Sequence, residues 1–494
     1  MLRVIGLVWV GLACLPLSAA ESLRQQAESA LRRAVDFFTR EVSEQGTYLW
    51  QYSEDLSKRE GEGIATRTQG WVQPPGTPAV GLAFLSAWRA TGDSNYLNAA
   101  RATALGLVRG QLRSGGWTYA IDFSPASRSK IAYRDSGSTK GRNVSTFDDD
   151  TTQTALRFLM QTDKELGFAD HDVHDSVNYA LKAVLDAQYP NGAWPQGFEH
   201  APDPAKFPVK KASYPESWPR AWPGSGEYWF RYTLNDDSMA TLVETLLEAS
   251  RIYAFPGAGP RSGGIPLQCR TAVIRAGNFL LLAQMPEPQP GWAQQYNFDM
   301  HPAWARKFEP PAVTGGESRG ALRTLLLVYQ ATGDRKFLEP IPAALEYFRR
   351  SRLPDGSLAR FYELKSNKPL YFTKDYALTY DDSDIPTHYS FKIKDWTESV
   401  STEYERVRHL PWNELRLPRS DLQPAPMAKR EPLTSALESE TRAIIASQDA
   451  RGRWVEDGGL RYHRPKDPAA RVIKSATFNH HVEILSCYLA ATRP

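Results

Sequence analysis

Cysteine is scarce in this sequence, and its scarcity limits the covalent and metal chemistry available. Only three of the 494 residues are cysteines. Cys14 lies in an apolar N-terminal run, which leaves Cys269 and Cys487 as the one pair able to form a disulfide. A metal centre built from several cysteine ligands is therefore excluded.

An excess of charge of one sign is also missing. The chain has 59 Lys and Arg against 56 Asp and Glu, a formal net charge of +3. A chain built for general nucleic-acid binding would carry a clear basic excess. We expect no nucleic-acid partner, and any acidic ligand must be recognised by a local site.

Long apolar runs are absent beyond the N-terminus. Met1-Leu2-Arg3, an apolar run over 4–17 and Ser18-Ala19-Ala20 fit a secretory signal cleaved near Ala20. The run is too short to span a membrane. We expect residues 1–20 to be removed and residues 21–494 to form one domain, secreted or periplasmic, monomeric and free of the membrane. Lipoprotein anchoring through Cys14 is the alternative.

Strand-like alternation is rare, whereas helical periodicity is common. Apolar residues recur at three and four spacing over 78–108, 150–166, 238–253 and 318–329. The string Ala-Thr-Gly-Asp ends one such run at 90–93 and another at 331–334, and a further helical run follows each. The pattern predicts an all-α protein with an internal repeat.

A second repeat defines the connections. The pattern Gln-x-x-x-Gly-x-Trp begins at Gln111, Gln188 and Gln448, and Asp355-Gly356-Ser357 resembles a degraded copy. Glycine permits a tight turn, while Gln and Trp can tie the loop to a helix end. Repeated helix pairs joined by such loops predict an (α/α) toroid whose irregular loops form a substrate groove at one end.

The tryptophans of these loops divide into two groups. Packing is the favoured role for Trp117 and Trp454. Trp194 instead precedes an insertion over 200–229 that is rich in proline, aromatic and basic residues, including Lys206, Lys210, Lys211 and Arg220. Such a loop suits a polyanionic sugar, and an ordinary solvated loop is the alternative.

Two acidic clusters stand directly before helical runs. They are Asp148-Asp149-Asp150 and Asn235-Asp236-Asp237. Asp and Asn are favoured helix caps, but capping needs one carboxylate. Several crowded carboxylates repel one another unless a cation neutralises them, and oxygen ligands suit calcium. Capping and metal binding both remain open on this evidence alone.

Three strings, in this order, carry a family resemblance that extends over about residues 69–376. They are Gly192-Ala193-Trp194-Pro195-Gln196, Leu234-Asn235-Asp236-Asp237-Ser238-Met239, and the run Ala303-Trp304-Ala305-Arg306-Lys307-Phe308-Glu309-Pro310-Pro311. The chain resembles the family-ten polysaccharide lyases, the pectic acid lyases. The resemblance implies an (α/α) toroid and cleavage of polygalacturonate by calcium-dependent anti β-elimination, with an arginine as base.

The resemblance also implies roles for single residues. Arg306 matches the catalytic arginine, and Asp148 matches the family's calcium and substrate aspartate. We expect the neighbouring Asp149 to be a second calcium ligand. The expected substrate-binding residues are Asp148, Trp194, Asn235, Asp236, Glu309, Arg360 and Lys374. The chain departs from the family at Asp149 and Asp150, where a neutral pair is usual, and at Lys374, where a second arginine is usual. Lysine keeps the charge but loses the bidentate fork.

The chemistry accounts for these residue types. Removal of the C5 proton becomes feasible when the adjacent carboxylate is neutralised by calcium and cations. An arginine base must lose its proton, so we expect an alkaline optimum, with neighbouring cations at Lys307, Arg360 and Lys374 disfavouring its charged form.

Three rival readings remain. An inverting glycoside hydrolase would use two of the carboxylates among Asp149, Asp150, Asp236, Asp237, Glu309 and Glu317. A terpene cyclase shares glutamine–tryptophan loops, but the sequence lacks the aspartate-rich string it needs. A non-catalytic glycan-binding protein would bind the polymer without turnover.

Overall fold

Helix boundaries follow the local sequence signals. The computed structural model describes residues 21–136, 140–254, 264–415, 432–463 and 470–493. Gly92 and Gly333 each end a helix in the left-handed conformation, with φ of 74° and 76°. Asp93 and Asp334 then accept hydrogen bonds from the backbone of the next helical turn. The Ala-Thr-Gly-Asp repeat is thus a repeated helix–turn–helix connection.

Fourteen α-helices occur in the described residues. They are α1 (Leu23–Phe37), α2 (Thr77–Thr91), α3 (Ser94–Gly110), α4 (Pro125–Arg128), α5 (Thr151–Glu165), α6 (His171–Asp186), α7 (Ser238–Ile252), α8 (Ile265–Ala283), α9 (Gly315–Thr332), α10 (Ile341–Arg350), α11 (Thr397–His409), α12 (Trp412–Leu415), α13 (Ser435–Ser447) and α14 (Ser475–Ala491).

The helices are arranged in two layers. Helices α14, α2, α5, α7, α9 and α11 pack side by side in that order, and α1, α13, α3, α6, α8 and α10 pack against them from outside. Paired inner and outer helices that succeed one another in this way form the predicted (α/α) toroid. One apolar core, running from Ala27 to Ala490, joins the two layers.

Short strands border the inner helices, and the sequence pattern did not predict them. They are β1 (Gln51–Ser53), β2 (Arg59–Glu60), β3 (Gln69–Trp71), β4 (Ala120–Asp122), β5 (Ser145–Thr146), β6 (Gly197–Phe198), β7 (Tyr232–Thr233), β8 (Gln295–Tyr296), β9 (Ala312–Thr314), β10 (Leu358–Ala359), β11 (Phe361–Glu363), β12 (Pro369–Phe372), β13 (Leu378–Thr379), β14 (Lys392–Ile393), β15 (Glu456–Asp457) and β16 (Arg471–Lys474).

The strand pairs fix the loops at one end of the ring. All ladders are antiparallel: β15-β16-β1-β2 and β13-β12-β11-β9 are four-stranded, and β3-β4, β5-β6, β7-β8 and β10-β14 are pairs. Strands β5, β7, β9 and β16 each come shortly before an inner helix. The loops at the N-terminal ends of the inner helices are therefore held by backbone hydrogen bonds.

The glutamine–tryptophan loops share one set of hydrogen bonds. The Gln111, Gln188 and Gln448 side chains donate to the carbonyl four residues later at 2.9–3.2 Å. In each loop the Trp indole N–H donates to a carbonyl ten residues earlier, in the preceding helix. The repeat therefore locks each loop onto a helix end, as predicted.

Two further loops repeat the same backbone turn. The predicted degraded copy has it, since Leu353 N–H donates to Ser357 C=O at 2.9 Å. The other was not predicted: Gln284 donates to Pro290 C=O at 3.0 Å, and the Trp292 indole donates to Leu280 C=O at 2.8 Å. Its Gln and Trp are two residues further apart than in the other copies, which hid it from the sequence pattern.

The predicted substrate role of Trp194 is wrong. Its ring is 1% exposed, and its indole N–H donates to Val184 C=O at 2.8 Å. A ring enclosed in the core cannot stack on a sugar. Trp194 is a structural residue like Trp117 and Trp454.

Several other expectations concern the chain outside the site. Cys269 and Cys487 do not form a disulfide. In the described residues, no helix combines the length and apolar character needed to cross a membrane. Residues 1–20, with the expected signal and Cys14, lie outside the described part of the chain, as does most of the proline-rich stretch over 411–432.

Two glycines at the same position in two of the loop turns, Gly192 and Gly356, give a matched stability test. Gly192 and Gly356 both have positive φ, 96° and 82°. A Cβ at Gly192 would lie 2.0 Å from the Arg275 carbonyl oxygen, whereas one at Gly356 would meet nothing within 4 Å. We expect Gly356→Ala to cost about 1 kcal/mol from backbone strain alone. Gly192→Ala should cost roughly 3 kcal/mol or more. Equal losses in denaturant unfolding would contradict the steric argument.

Candidate active site

The two acidic clusters adopt the same backbone conformation. Asp149 and Asp150 have φ of 48° and 59°, and Asp236 and Asp237 have φ of 48° and 54°. Two successive left-handed residues are unfavourable for L-amino acids, although Asp tolerates them better than most. Neither Asp150 nor Asp237 makes a side-chain capping bond to its helix, α5 or α7. Helix capping does not explain these carboxylates.

Three carboxylates from the two clusters converge. Oxygen atoms of Asp148, Asp149 and Asp236 all lie within 4.8 Å of one another. They stand at the N-terminal ends of α5 and α7, where the helix dipole favours negative charge. The paired left-handed turns place these oxygens around one point, so the predicted ligand pair Asp148 and Asp149 is joined by Asp236.

Neutral donors hold the carboxylates in place. The Tyr119 hydroxyl donates to Asp148 Oδ2 at 2.7 Å, and the Gln73 amide donates to Asp149 Oδ2 at 2.9 Å. Asn235 Nδ2 donates to Asp236 Oδ2 at 2.6 Å and to Asp148 Oδ1 at 3.4 Å. The predicted residue Asn235 thus links the two clusters from a buried position and is not itself open to a polymer.

Burial and mutual repulsion raise the pKa values of two acids of the cluster. Burial, then Asp148 and Glu62, raise the pKa of Asp149 to about 6, with Arg306 opposing the shift. Burial, followed by Asp148, Asp149 and Glu317, raises the pKa of Asp236 to about 7 against the same opposition from Arg306. Asp236 is exposed to solvent, yet the protein around its carboxylate removes part of its hydration. The site therefore gathers more negative charge than its own arginines neutralise.

Asp150 does not belong to this group of ligands. Its carboxylate accepts hydrogen bonds from Arg157 and from the Thr154 hydroxyl, both on α5. An acid already paired with an arginine adds little to a cation site nearby. Of the two unusual acids at 149 and 150, only Asp149 faces the cluster.

Arg306 is held by Glu309, three residues later. Its Nε and Nη2 donate to the two Glu309 carboxylate oxygens at 2.9 and 2.5 Å, and its backbone N–H donates to the same carboxylate at 3.0 Å. Glu309 is only 2% exposed. It therefore positions Arg306 and does not present its own carboxylate to a sugar.

The pair decides the charge state of Arg306. Burial alone would lower the pKa of Arg306, but the hydrogen bonds and charge of Glu309 raise it above its usual value. Burial would raise the pKa of Glu309, and Arg306 lowers it instead. The expectation that neighbouring cations disfavour charged Arg306 is wrong in this form of the protein, because a buried carboxylate is its nearest partner.

Arg360 forms a similar pair on the other side. Its Nη2 donates to Glu317 Oε1 at 3.1 Å, and its guanidinium lies 4.3 Å from the centre of the Tyr389 ring. Burial lowers its pKa, but Glu317 and Tyr389 outweigh burial and the pKa is raised. Asp236 contributes to the raised pKa of both Arg306 and Arg360, so both cations lie within electrostatic reach of the acidic cluster.

Lys374 lies apart from these groups. It is 65% exposed and pairs with Asp384 at 2.8 Å, and this partner raises its pKa. In the described residues no hydrogen bond or ion pair joins it to the acidic cluster or to the two arginines. Lys307 faces the Tyr376 ring at 3.6 Å. The structure thus brings together Asp148, Asp149, Asp236, Arg306 and Arg360, and leaves Lys374 at the surface.

The basic insertion is mostly paired within the protein. Lys210 binds Asp299 at 2.6 Å, and Arg220 pairs with Glu363 and covers the Trp218 ring at 4.4 Å. The Trp222 indole donates to Ala305 C=O at 2.8 Å, next to Arg306. The insertion therefore braces the loop that carries Arg306.

Sequence reasoning missed four residues of this site. Tyr119 and Gln73 donate hydrogen bonds to the acids. Tyr389 lies against both arginines and donates to Glu309 Oε1 at 3.2 Å. Tyr228 lies within electrostatic reach of Arg306, Glu309, Asp148 and Asp236. None of them belongs to the charged strings that marked the site. Of the four residues, only Tyr119 had a signal in the sequence, because it lies two residues after Trp117 of a glutamine–tryptophan loop.

Comparisons with known proteins show which family the chain belongs to. Residues 111–209 and 206–358 match the family model described as pectic acid lyase, and together they span half of the chain. The protein is therefore an enzyme of the polysaccharide lyase class. More specifically, the chain belongs to the pectic acid lyase family.

Solved structures show weaker similarity. A mutant family 10 polysaccharide lyase from Cellvibrio cellulosa, in complex with trigalacturonic acid, is 22% identical over 67% of this chain and 97% of its own, with a TM-score of 0.45. A D-mannose isomerase is 12% identical over 96% of this chain and 99% of its own, with a TM-score of 0.41. The GH76 α-mannanase BT2949 of Bacteroides thetaiotaomicron is 11% identical over 95% and 96%, with a TM-score of 0.39. No curated protein sequence matches the chain.

Neutralising one acid should stabilise the cation-free protein in a pH-dependent manner. A carboxyl with a folded-state pKa near 7 costs stability above its unfolded-state pKa of about 4, and the cost grows as pH rises to 7. With chelator present, we expect Asp236→Asn to raise Tm at pH 8 by on the order of 2 °C, and by less as pH falls towards 4. Asp150→Asn should lower Tm instead, because it breaks the Arg157 pair. A gain independent of pH would contradict this explanation.

Proposed function

We propose that the protein cleaves polygalacturonate by calcium-assisted anti β-elimination at the Asp148–Asp149–Asp236 cluster. The observation that carries the proposal is the position of this cluster beside two arginines, Arg306 and Arg360. A cation site next to guanidinium groups can hold the carboxylate of a uronate between positive charges. Membership of the pectic acid lyase family supports the same substrate.

The donor set fits calcium. Calcium binds carboxylate oxygens at about 2.3–2.6 Å, so oxygens on opposite sides of one ion lie about 5 Å apart. The separation of at most 4.8 Å within the cluster agrees with this size. Asp148, Asp149 and Asp236 would hold the ion, and Asn235, Gln73 and Tyr119 would orient the ligands.

The bound calcium would neutralise the uronate carboxylate and so make the C5 proton easier to remove. Arg360 is the candidate second partner for that carboxylate. Its Nε is buried and has no hydrogen-bond partner among the described residues, and its planar guanidinium suits a carboxylate. Glu317 and Tyr389 fix the plane of this group.

Arg306 is the proposed base. Its side chain is 40% exposed, against 15% for Arg360, so it is the more accessible of the two guanidinium groups. Its pairing with Glu309 favours the protonated form, and the neutral form is therefore scarce below strongly alkaline pH. Arg306 could serve instead as a second carboxylate clamp, and the pH dependence of activity separates the two roles.

The rival readings fit the geometry less well. An inverting hydrolase places its two carboxyl groups about 6.5–9.5 Å apart, with a water between them. The clustered acids here are closer, and their oxygens converge on one point. Membership of the pectic acid lyase family disfavours a non-catalytic glycan-binding protein.

We also propose that the protein is exported and acts as a monomer. The N-terminal sequence supports export, since its apolar run and small residues fit a signal cleaved near Ala20. Mass spectrometry of the N-terminal peptide, on protein recovered from outside the cytoplasm, would test whether residues 1–20 are removed. Retention of residues 1–20 in that fraction would contradict cleavage.

The activity test is ultraviolet absorbance of polygalacturonate incubated with the protein at alkaline pH. We expect an unsaturated-uronate signal that chelator stops and added calcium restores. New reducing ends without this absorbance would establish hydrolysis instead. No change in either assay would rule out polygalacturonate as a substrate under these conditions.

Adjacent acids give a matched test of calcium binding. Asp149→Asn removes a charge that faces the cluster, and Asp150→Asn removes one that faces Arg157. We expect Asp149→Asn to weaken calcium binding at least about tenfold in calorimetry, since ligand charge sets affinity. Asp150→Asn should change it by less than about threefold. Binding should also weaken as pH falls through 7 to 6, because protons compete for Asp236 and Asp149.

The role of Arg306 is tested by the pH dependence of kcat/KM. Arg306→Ala should lower activity by roughly 100-fold or more. If Arg306 is the base, Arg306→Lys should shift the alkaline rise of activity to lower pH, because lysine loses its proton more easily. If activity instead levels off just above pH 7 in both proteins, Arg306 is a clamp. Arg101→Ala, which breaks a surface pair with Asp170, is the control and should leave the profile unchanged.

A further inference from the structure

A second cavity lies inside the ring of helices, next to the acidic cluster. It has a volume of about 580 Å³ and is bounded by α7, α9 and α11. It begins at Asp237, the residue after Asp236, and extends along the inner helices. The proposed reaction uses none of the charged groups that line it.

Opposite charges line two walls of this cavity. Asp237 and Glu244 lie on the α7 side, and Arg319 and Arg323 lie one turn apart on α9. No ion pair shorter than 4.0 Å joins the two walls in the part of the chain that the structure describes. The third acid of the lining, Glu403, is already held by Arg406 at 2.7 Å. Two acids and two arginines therefore line the cavity without forming an ion pair, although Asp237 Oδ1 reaches α9, where it would lie 2.3 Å from a Cβ at Gly320.

The equivalent position on the neighbouring inner helix shows that this separation is specific. Asp150 precedes α5 as Asp237 precedes α7, with the same left-handed backbone. Asp150 pairs with Arg157, seven residues later. Seven residues after Asp237 the chain has Glu244, which is exposed. The α5 acid is thus neutralised on its own helix, whereas the α7 acid faces the cavity.

The remaining lining suits a sugar with a carboxylate. Two guanidinium groups on one helix face can bind a carboxylate, and the acids can accept hydrogen bonds from sugar hydroxyls. Thr241, Thr324 and Ser399 add hydroxyl groups, and Leu327 and Val400 add an apolar surface. The volume lies within the range of small-ligand pockets. A neutral sugar would leave the arginines without a partner, and a simple dicarboxylate would repel the acids.

We propose that this cavity is a second binding site for galacturonate, taken as the monomer or as the end of a short oligomer. The choice of this uronate rests on the proposed function, while the need for both a carboxylate and hydroxyl groups rests on the cavity itself. A binding site beside the cleavage site would retain short acidic products. It would also make turnover sensitive to their concentration.

The test is calorimetric or ligand-observed NMR titration of the full chain with galacturonate in the presence of chelator. The monomer has no glycosidic bond, so it cannot be cleaved, and chelator removes calcium from the neighbouring cluster. We expect binding that weakens at least tenfold in the double variant R319Q/R323Q and also weakens in Glu244→Gln. Galactose should bind at least tenfold more weakly than galacturonate. Arg335→Gln, at an exposed position outside the cavity, is the control.

Three outcomes would overturn the proposal. They are absence of galacturonate binding to a folded chain, equal binding by R319Q/R323Q, and loss of binding in Arg360→Ala but not in the cavity variants. The last would place the sugar at the active site. Thermal melts would verify that each variant is folded.

The test distinguishes failure of the cavity site from failure of the proposed function. Elimination of polygalacturonate without galacturonate binding would refute the cavity alone. Binding that depends on Arg319 and Arg323 without any elimination would establish the cavity as an acidic-sugar site and refute the proposed elimination of polygalacturonate.

Discussion

Repulsion among Asp148, Asp149 and Asp236 is the constraint around which the loop end of this protein is built. The three carboxylates would move apart if their backbone were free, and burial together with this repulsion raises the pKa of Asp149 to about 6 and that of Asp236 to about 7. The fold prevents that movement. The two left-handed turns, the strand pairs β5-β6 and β7-β8, and the neutral donors Tyr119, Gln73 and Asn235 together hold the acids in place.

The arginines complete this electrostatic arrangement without cancelling it. Arg306 and Arg360 each have a buried glutamate partner, Glu309 and Glu317. Because those partners already balance their charge, the guanidinium groups stay beside the acids without collapsing onto them. A substrate carboxylate would meet positive charge from two directions, and the cluster would keep its capacity for a cation. Two arginines with glutamate partners, beside three acids without a basic partner, therefore suit the proposed binding of a metal and an anion together.

Much of the fold could be predicted from the sequence because its repeats have local causes. The Ala-Thr-Gly-Asp and Gln-x-x-x-Gly-x-Trp strings specify turns that depend only on neighbouring residues, and both were found where expected. Strands of two to four residues carry too little periodicity to be recognised. The loop from Gln284 to Trp292 escaped because its two extra residues break the spacing while its hydrogen bonds persist.

The sequence predicted most of the charged residues of the site but not the directions in which their side chains point. Clustering alone identified the acids, yet nothing in the sequence distinguishes Asp149, which faces the cluster, from Asp150, which faces Arg157. Likewise, the three-residue separation of Arg306 and Glu309 does not reveal a bidentate pair. The motif around Trp194 suggested sugar binding and did not reveal that the ring is buried. Such outcomes depend on side-chain direction, which tertiary packing decides.

The two ends of the described chain meet at one side of the ring. Strand β1 pairs with β16, α1 packs on α14, and Arg24 donates to the Leu489 carbonyl at 2.8 Å. The first and last described helices are therefore neighbours in space. A circularly permuted chain, joined between these two ends and opened in a surface turn such as that at Gly167, would keep every inner helix between the same neighbours.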